Sequence, residues 1–241
     1  MVAIVKKVLL ALLLTILLLG VPRVSGMIAD LFDYRAFDPD GAYAWISVHH
    51  IVQALVFLVI MAVVQTIRPM SFGFGWGNKA VGKRYVLKFA LIFSVGSLAT
   101  NLLMILAGMF QPFAYPMTAN NIIGYLGFQL LLSGPSEELI FRAFAIVMLA
   151  LAFKGQLLKS KVSVATLMAA VIFGVAHMHI SLAPFSVRFS LLQVVLAFGL
   201  GIFYGDCFEK TGSMYYPMMM HSISNVVMVG YSVIATHILQ R

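Results

Sequence analysis

Charge is what this 241-residue chain lacks most. Charged residues make up 10% of it, against roughly 25% in an average soluble domain, while hydrophobic residues reach 62% where roughly 45–50% is usual. Sixteen Lys plus Arg and eight Asp plus Glu cannot clothe a water-soluble surface of that size. A soluble enzyme, a disordered chain and a nucleic-acid-binding domain are excluded as whole-chain readings. Acids are the scarcer sign, but the net charge of +8 does not argue for nucleic acid, because cationic excess in a membrane protein marks cytoplasmic loops. Cysteine is almost absent: Cys207 alone permits neither an internal disulfide nor a Cys-based structural zinc site. No His-Glu-x-x-His zinc signature occurs, and no period of 20–50 residues repeats. Nor is there a matched pair of interrupted apolar helices of the kind inverted-repeat transporters carry. Aspartyl intramembrane chemistry lacks its second membrane aspartate, since the acids other than Asp206 that are Asp all fall within 30–40.

Long apolar runs are what the chain has, with a mean hydropathy of +1.00. A span needs about 20 mainly apolar residues, and the runs predict an all-α polytopic bundle of about seven spans. These are Val8–Val21, Ala42–Ile67, Tyr85–Phe110, Ile122–Phe153, Val162–Ile180, Phe189–Gly205 and Met214–His237. N-terminal transmembrane helices over 1–120 and a catalytic core over 121–241 are the expected division. Loops Arg68–Lys88 and Lys154–Lys161 are basic and acid-free, whereas Asp30, Asp33, Asp38 and Asp40 share the first loop. The positive-inside rule thus predicts a cytoplasmic N-terminus. Lys6-Lys7, the short apolar run and Val24-Ser-Gly26 also allow a cleaved signal peptide.

A charge at mid-bilayer costs from about 2.5 kcal/mol to well over 10, so ionisable residues inside spans need a reason. Glu137, Glu138 and Arg142 sit inside the fourth span, His177 in the fifth, and His221 with Asn225 in the seventh. Glu138 and Arg142 are i,i+4 and can neutralise each other, with the acid on the N-terminal side. Glu137 is rotated about 100° from Glu138 and is five residues from Arg142, so it is the carboxylate least committed to its own helix. Pro135 removes a backbone donor just before the pair. His221 and Asn225 share a face, as do Phe173 and His177. A carboxylate, two imidazoles and an amide together suit hydrolysis, in which a base activates water and donors meet the oxyanion. Glu137, His177 and His221 could equally supply three zinc ligands and leave a fourth position open, or hold water alone. His49, His50 and His179 read as interfacial histidines, and Met218-Met219-Met220 as packing.

At these residues the chain resembles the CPBP family, the CAAX-protease and bacteriocin-processing (Abi) intramembrane proteases, over about Ile122–Met228. Glu137-Glu138-Leu-Ile-Phe-Arg142 resembles its Glu-Glu-x-x-x-Arg, Phe173-Gly-Val-Ala-His177 its Phe-x-x-x-His, and His221-Ser-Ile-Ser-Asn225 its His-x-x-x-Asn. Gly201-Ile-Phe-Tyr-Gly205 resembles the approach to the third motif. Ala143 stands where Gly commonly follows the Arg, and Ala169 where Ser often precedes the Phe motif; neither would supply a proton. The resemblance implies a helical membrane core that hydrolyses a peptide bond in a membrane-associated peptide or protein. Glu137 and His177 would activate water, and His221 and Asn225 would hold the oxyanion. Glu138, Arg142 and Phe173 would organise the site. It leaves zinc open, since the family is labelled metalloprotease while a metal-free glutamate mechanism has also been argued. A bacterial plasma membrane is the expected location, with the lipid bilayer itself and a peptide substrate as partners. Two rival readings of the same residues are an ion-coupled transporter using the Glu–His chain and a catalytically silent immunity or partner-binding protein.

Overall fold

In lipid a backbone must satisfy its own hydrogen bonds, and a helix does so within one segment. The computed structural model, which describes residues 2–157, 162–182 and 184–240, is accordingly an all-α bundle with two small hairpins. Lys159 and Lys161, two of the three lysines expected on one cytoplasmic loop, lie outside the described residues. Five helices are long and apolar enough to cross a membrane: α1 (Val2–Ala29), α2 (Ala44–Ile67), α3 (Lys79–Leu106), α6 (Leu191–Thr211) and α7 (Tyr215–Leu239). Between them lie α4, helical without a break over 119–150, and α5 (Val164–Ala176). Seven helical bodies thus stand among the described residues, and the protein is an all-α integral membrane bundle.

Sequence sets the helix starts. Asn78, Thr118, Ser163 and Ser190 precede α3, α4, α5 and α6, and each side chain accepts a hydrogen bond from the backbone N–H three residues on. At the head of α2 the buried carboxylate of Asp38 does this work, accepting from the N–H groups of Ala42, Tyr43 and Ala44 at 2.8, 2.9 and 2.6 Å. Asp38 is therefore a cap as well as a marker of the acidic loop.

The fourth and fifth spans differ from the plain helices expected. Helix α4 alternates between α and π registers, with π segments at Gln129–Ser133 and Leu139–Ile146 flanking Gly134–Glu138. Helix α5 has 13 residues, about 20 Å of rise against the roughly 30 Å of a bilayer core. Its run ends at His177 rather than Ile180, because the β-prone alternation that follows pairs with itself. Strand β3 (His179–Leu182) lies antiparallel to β4 (Phe185–Arg188), with Ile180 opposite Val187. The other hairpin joins β1 (Gln156–Leu157) to β2 (Val162–Ser163).

Small residues let α5 and α6 approach closely. A Cβ on Gly205 would sit 2.6 Å from Thr166 Cγ2, and one on Gly201 would sit 3.0 Å from Ala170 Cβ. Gly201-x-x-x-Gly205 thus meets Thr166-x-x-x-Ala170, which brings the helix ending at His177 against the helix carrying Tyr204. Leu14 and Leu18 of α1 are buried with Phe57 and Met61 of α2 and Phe144 of α4 in one apolar core. Gly26 lies inside α1, opposite Trp45 of α2.

Candidate active site

Pro135 shapes the site through the hydrogen bond it cannot make. In the π register of Gln129–Ser133 a carbonyl bonds the N–H five residues on, and for Leu130 that residue is Pro135. The hydroxyl of Ser222, on α7, donates to the Leu130 carbonyl at 2.8 Å instead. A backbone acceptor that its own helix leaves open is thereby satisfied from another helix, and α7 is tied to α4 one residue from His221. Gly134 allows the approach: a Cβ there would lie 2.9 Å from the Ser222 backbone nitrogen. Gly134→Ala is therefore expected to destabilise the protein by about 1–3 kcal/mol through overpacking. Thermal melting in detergent measures this, and an unchanged melting temperature would refute the close approach.

Glu138 and Arg142 are almost wholly enclosed, at 0% and 1% exposure. Glu138 Oε2 lies 3.0 Å from Arg142 Nε, and Oε1 accepts a hydrogen bond from His221 Nδ1 at 2.7 Å. The guanidinium lies over the Phe173 ring at 4.5 Å and near Tyr204 at 5.3 Å, so aromatic faces share the burial of its charge. Tyr204 also stacks on His221 at 5.4 Å, and its hydroxyl is 3.0 Å from Ser224 Oγ. Both nitrogens of His221 thus have fixed directions. Nδ1 is committed to Glu138, and Nε2 points to Glu137, whose Oε2 is 3.8 Å away.

Glu137 behaves differently from its neighbour. Its side chain keeps 19% of its surface, and Oε2 has no hydrogen-bond partner among the described residues. The ionisable groups near it are His221, His50, His177 and Arg142, contributed by four separate elements. His177 caps the C-terminal end of α5, where Nδ1 lies 2.8 Å from the Phe173 carbonyl. A carbonyl only accepts, so Nδ1 carries the proton and Nε2 of the neutral ring keeps its lone pair. Asn225 Nδ2 donates to Ser133 Oγ at 3.0 Å. A cavity of about 130 Å³ joins His177, His221 and Asn225 with Gln193 and Tyr204, which is room for water beside several polar partners.

Two polar residues of α2 join this set although the sequence reading placed neither there. His50 is 7% exposed, and its Nδ1 lies 2.7 Å from Ser136 Oγ. The Gln53 amide donates both to that Nδ1, at 3.1 Å, and to Ser136 Oγ, at 3.2 Å. His50 is thus a buried neighbour of Glu137 rather than an interfacial histidine. The signal available was the i,i+3 spacing of His50 and Gln53, which puts two polar groups on one face of an apolar helix. Gln193 gave no such signal. His49 and His179 line a different cavity, of about 460 Å³, together with Arg23, Asp30 and Trp45.

Among the described residues no three His, Cys, Asp or Glu side chains draw into a group able to hold a metal ion. Glu137, His177 and His221 therefore do not stand as a ready-made three-ligand zinc site.

Residues 118–227 match the family model described as Type II CAAX prenyl endopeptidase Rce1-like. That segment is similar to the Rce1-like family. It contains all three motifs, from Glu137 to Asn225, and agrees with the CPBP resemblance. No curated protein and no solved structure matches the chain. Family and apolar helices together describe a membrane protease. The Rce1-like segment does not build its site alone, because His50 and Gln53 reach Ser136 from α2, outside the matched residues.

Proposed function

We propose that the protein is an intramembrane endopeptidase that cuts a membrane-associated peptide or protein with water activated by Glu137 and His177. The observation that carries this reading is the Glu137 carboxylate, whose Oε2 lies 3.8 Å from His221 Nε2 and has no hydrogen-bond partner among the described residues, while the adjacent Glu138 is ion-paired with Arg142 through Oε2 and bonded to His221 Nδ1 through Oε1. One carboxylate organises and the other is left to react.

In this mechanism water hydrogen-bonds to Glu137 Oε2 and His177 Nε2, and gives up a proton as its oxygen attacks the scissile carbonyl carbon. The resulting oxyanion is met by the Asn225 amide and by His221 Nε2. Because Nδ1 of that ring is bonded to Glu138, Nε2 donates only when the ring carries both protons. The proton taken by Glu137 passes to the leaving amine, so acid and base roles fall to one carboxylate in turn. The carbonyl polarisation comes from donors held in place before the substrate arrives. The proposed location is a bacterial plasma membrane with the N-terminus in the cytoplasm.

The test is cleavage of a membrane-bound peptide by purified protein in liposomes, with and without a chelator. Wild type is expected to cleave in both conditions, and His177→Ala to lose about 10²-fold or more. Normal cleavage by His177→Ala would overturn the assignment. Activity abolished by chelator and restored by zinc would instead give Glu137, His177 and His221 the role of ligands. Solute uptake that Glu137→Gln abolishes, with no peptide cut, would favour transport.

A further inference from the structure

Away from Glu137, a cavity of about 550 Å³ opens on the flank of the bundle between α3 and α6. Its rim is basic. Arg84 and Lys88 are i,i+4 on α3, both exposed, and among the described residues neither makes an ion pair. Of the two acids on the facing helix, Asp206 is already engaged, with Lys210 Nζ at 2.9 Å and the Tyr85 hydroxyl donating to it, and Glu209 does not line the cavity. The rim is therefore a place of unbalanced positive charge.

Below the rim the walls are apolar and flat. Phe89 stacks on Phe93 at 5.0 Å and on Phe203 at 5.7 Å, and Ile92 lies one turn further along α3. At 1.5 Å per residue, Ile92 lies about 12 Å along the axis from Arg84. Cations in the opening turns of a spanning helix, followed by an apolar channel running inward, match the polarity of a phospholipid. The leaflet concerned is the one that the positive-inside reading makes cytoplasmic, where anionic lipids attract juxtamembrane Lys and Arg. The floor of the channel also leads to the site. Phe89 meets Tyr204 edge-on at 5.6 Å, and Tyr204 stacks on His221.

We infer that this groove binds an anionic phospholipid, its phosphate between Arg84 and Lys88 and one acyl chain along Phe89, Ile92 and Phe203. The bound chain steadies Phe89 and Tyr204 and hence the ring of His221. Binding stands by itself, whereas its effect on turnover rests on the protease reading.

Native mass spectrometry of the full chain in detergent tests the binding without reference to activity. Phosphatidylglycerol is expected to be retained about tenfold more than phosphatidylcholine of the same chains, in keeping with two added cations. Inorganic phosphate alone is expected neither to bind nor to compete. Arg84→Gln with Lys88→Gln should bring phosphatidylglycerol down to the phosphatidylcholine level, while Lys79→Gln with Lys83→Gln should not. Ile92→Trp, which fills the channel and leaves the charges, should lose the lipid too. Melting in phosphatidylcholine micelles identifies a variant that fails to fold, and the remaining variant then decides. Equal retention of the two lipids, a preference that survives both variants, or competition by phosphate would each overturn the site. With binding established, faster cleavage in phosphatidylglycerol vesicles than in phosphatidylcholine vesicles is expected for wild type only. Equal rates there would overturn the coupling to His221 and leave the protease reading standing.

Discussion

Glu137→Gln is expected to lower peptide cleavage by about 10²–10⁴-fold, the usual contribution of a positioned general base, with almost no change in melting temperature. The physical basis is the different company of two adjacent carboxylates. Among the described residues Glu137 Oε2 has no hydrogen-bond partner, and the one basic group within ion-pair distance of it is His221, with Nε2 at 3.8 Å. An isosteric amide there removes a proton acceptor without stranding a buried cation. Glu138→Gln strands one, because Arg142 Nε lies 3.0 Å from Glu138 and the guanidinium is enclosed. Single-turnover cleavage beside thermal melting separates the cases. Cleavage by Glu137→Gln within about threefold of wild type would remove Glu137 from the chemistry.

That asymmetry could be read from spacing alone, since i,i+4 pairs Glu138 with Arg142 and leaves Glu137 turned away. The apolar runs likewise anticipate the five long helices, because length and hydropathy are properties of the chain itself. What the chain does not show by itself are features settled by neighbours. The π register before Pro135 persists because Ser222, 92 residues away, supplies the donor that proline lacks. His50 looks interfacial by its position in a span, yet Ser136 and Gln53 enclose it. The short α5 reflects competition between continuing a helix and closing the β3–β4 hairpin, which depends on pairing Ile180 with Val187. The motif spacing likewise says that His221 and Glu138 are polar and membrane-embedded, but not that they share a 2.7 Å hydrogen bond.

Arg142→Met should destabilise the protein by about 3–5 kcal/mol, the cost of breaking a buried ion pair by removing one partner. The carboxylate left behind is fully enclosed and, among the described residues, keeps only His221 Nδ1 as a donor. Removing both charges, as Arg142→Met with Glu138→Gln, should recover most of that loss, because an apolar replacement of a buried pair is often neutral. Cleavage should not recover with it. An amide at 138 can meet His221 Nδ1 with either its oxygen or its nitrogen and carries no charge to hold the ring, so Nε2 loses its fixed aim at Glu137 and at the oxyanion. Melting and cleavage measured on the two single variants and the double form a cycle in which stability is strongly coupled and activity is not. A double variant that regains both would show that the pair only packs the helices; one that regains neither would show that the pair does more for the fold than balance charge.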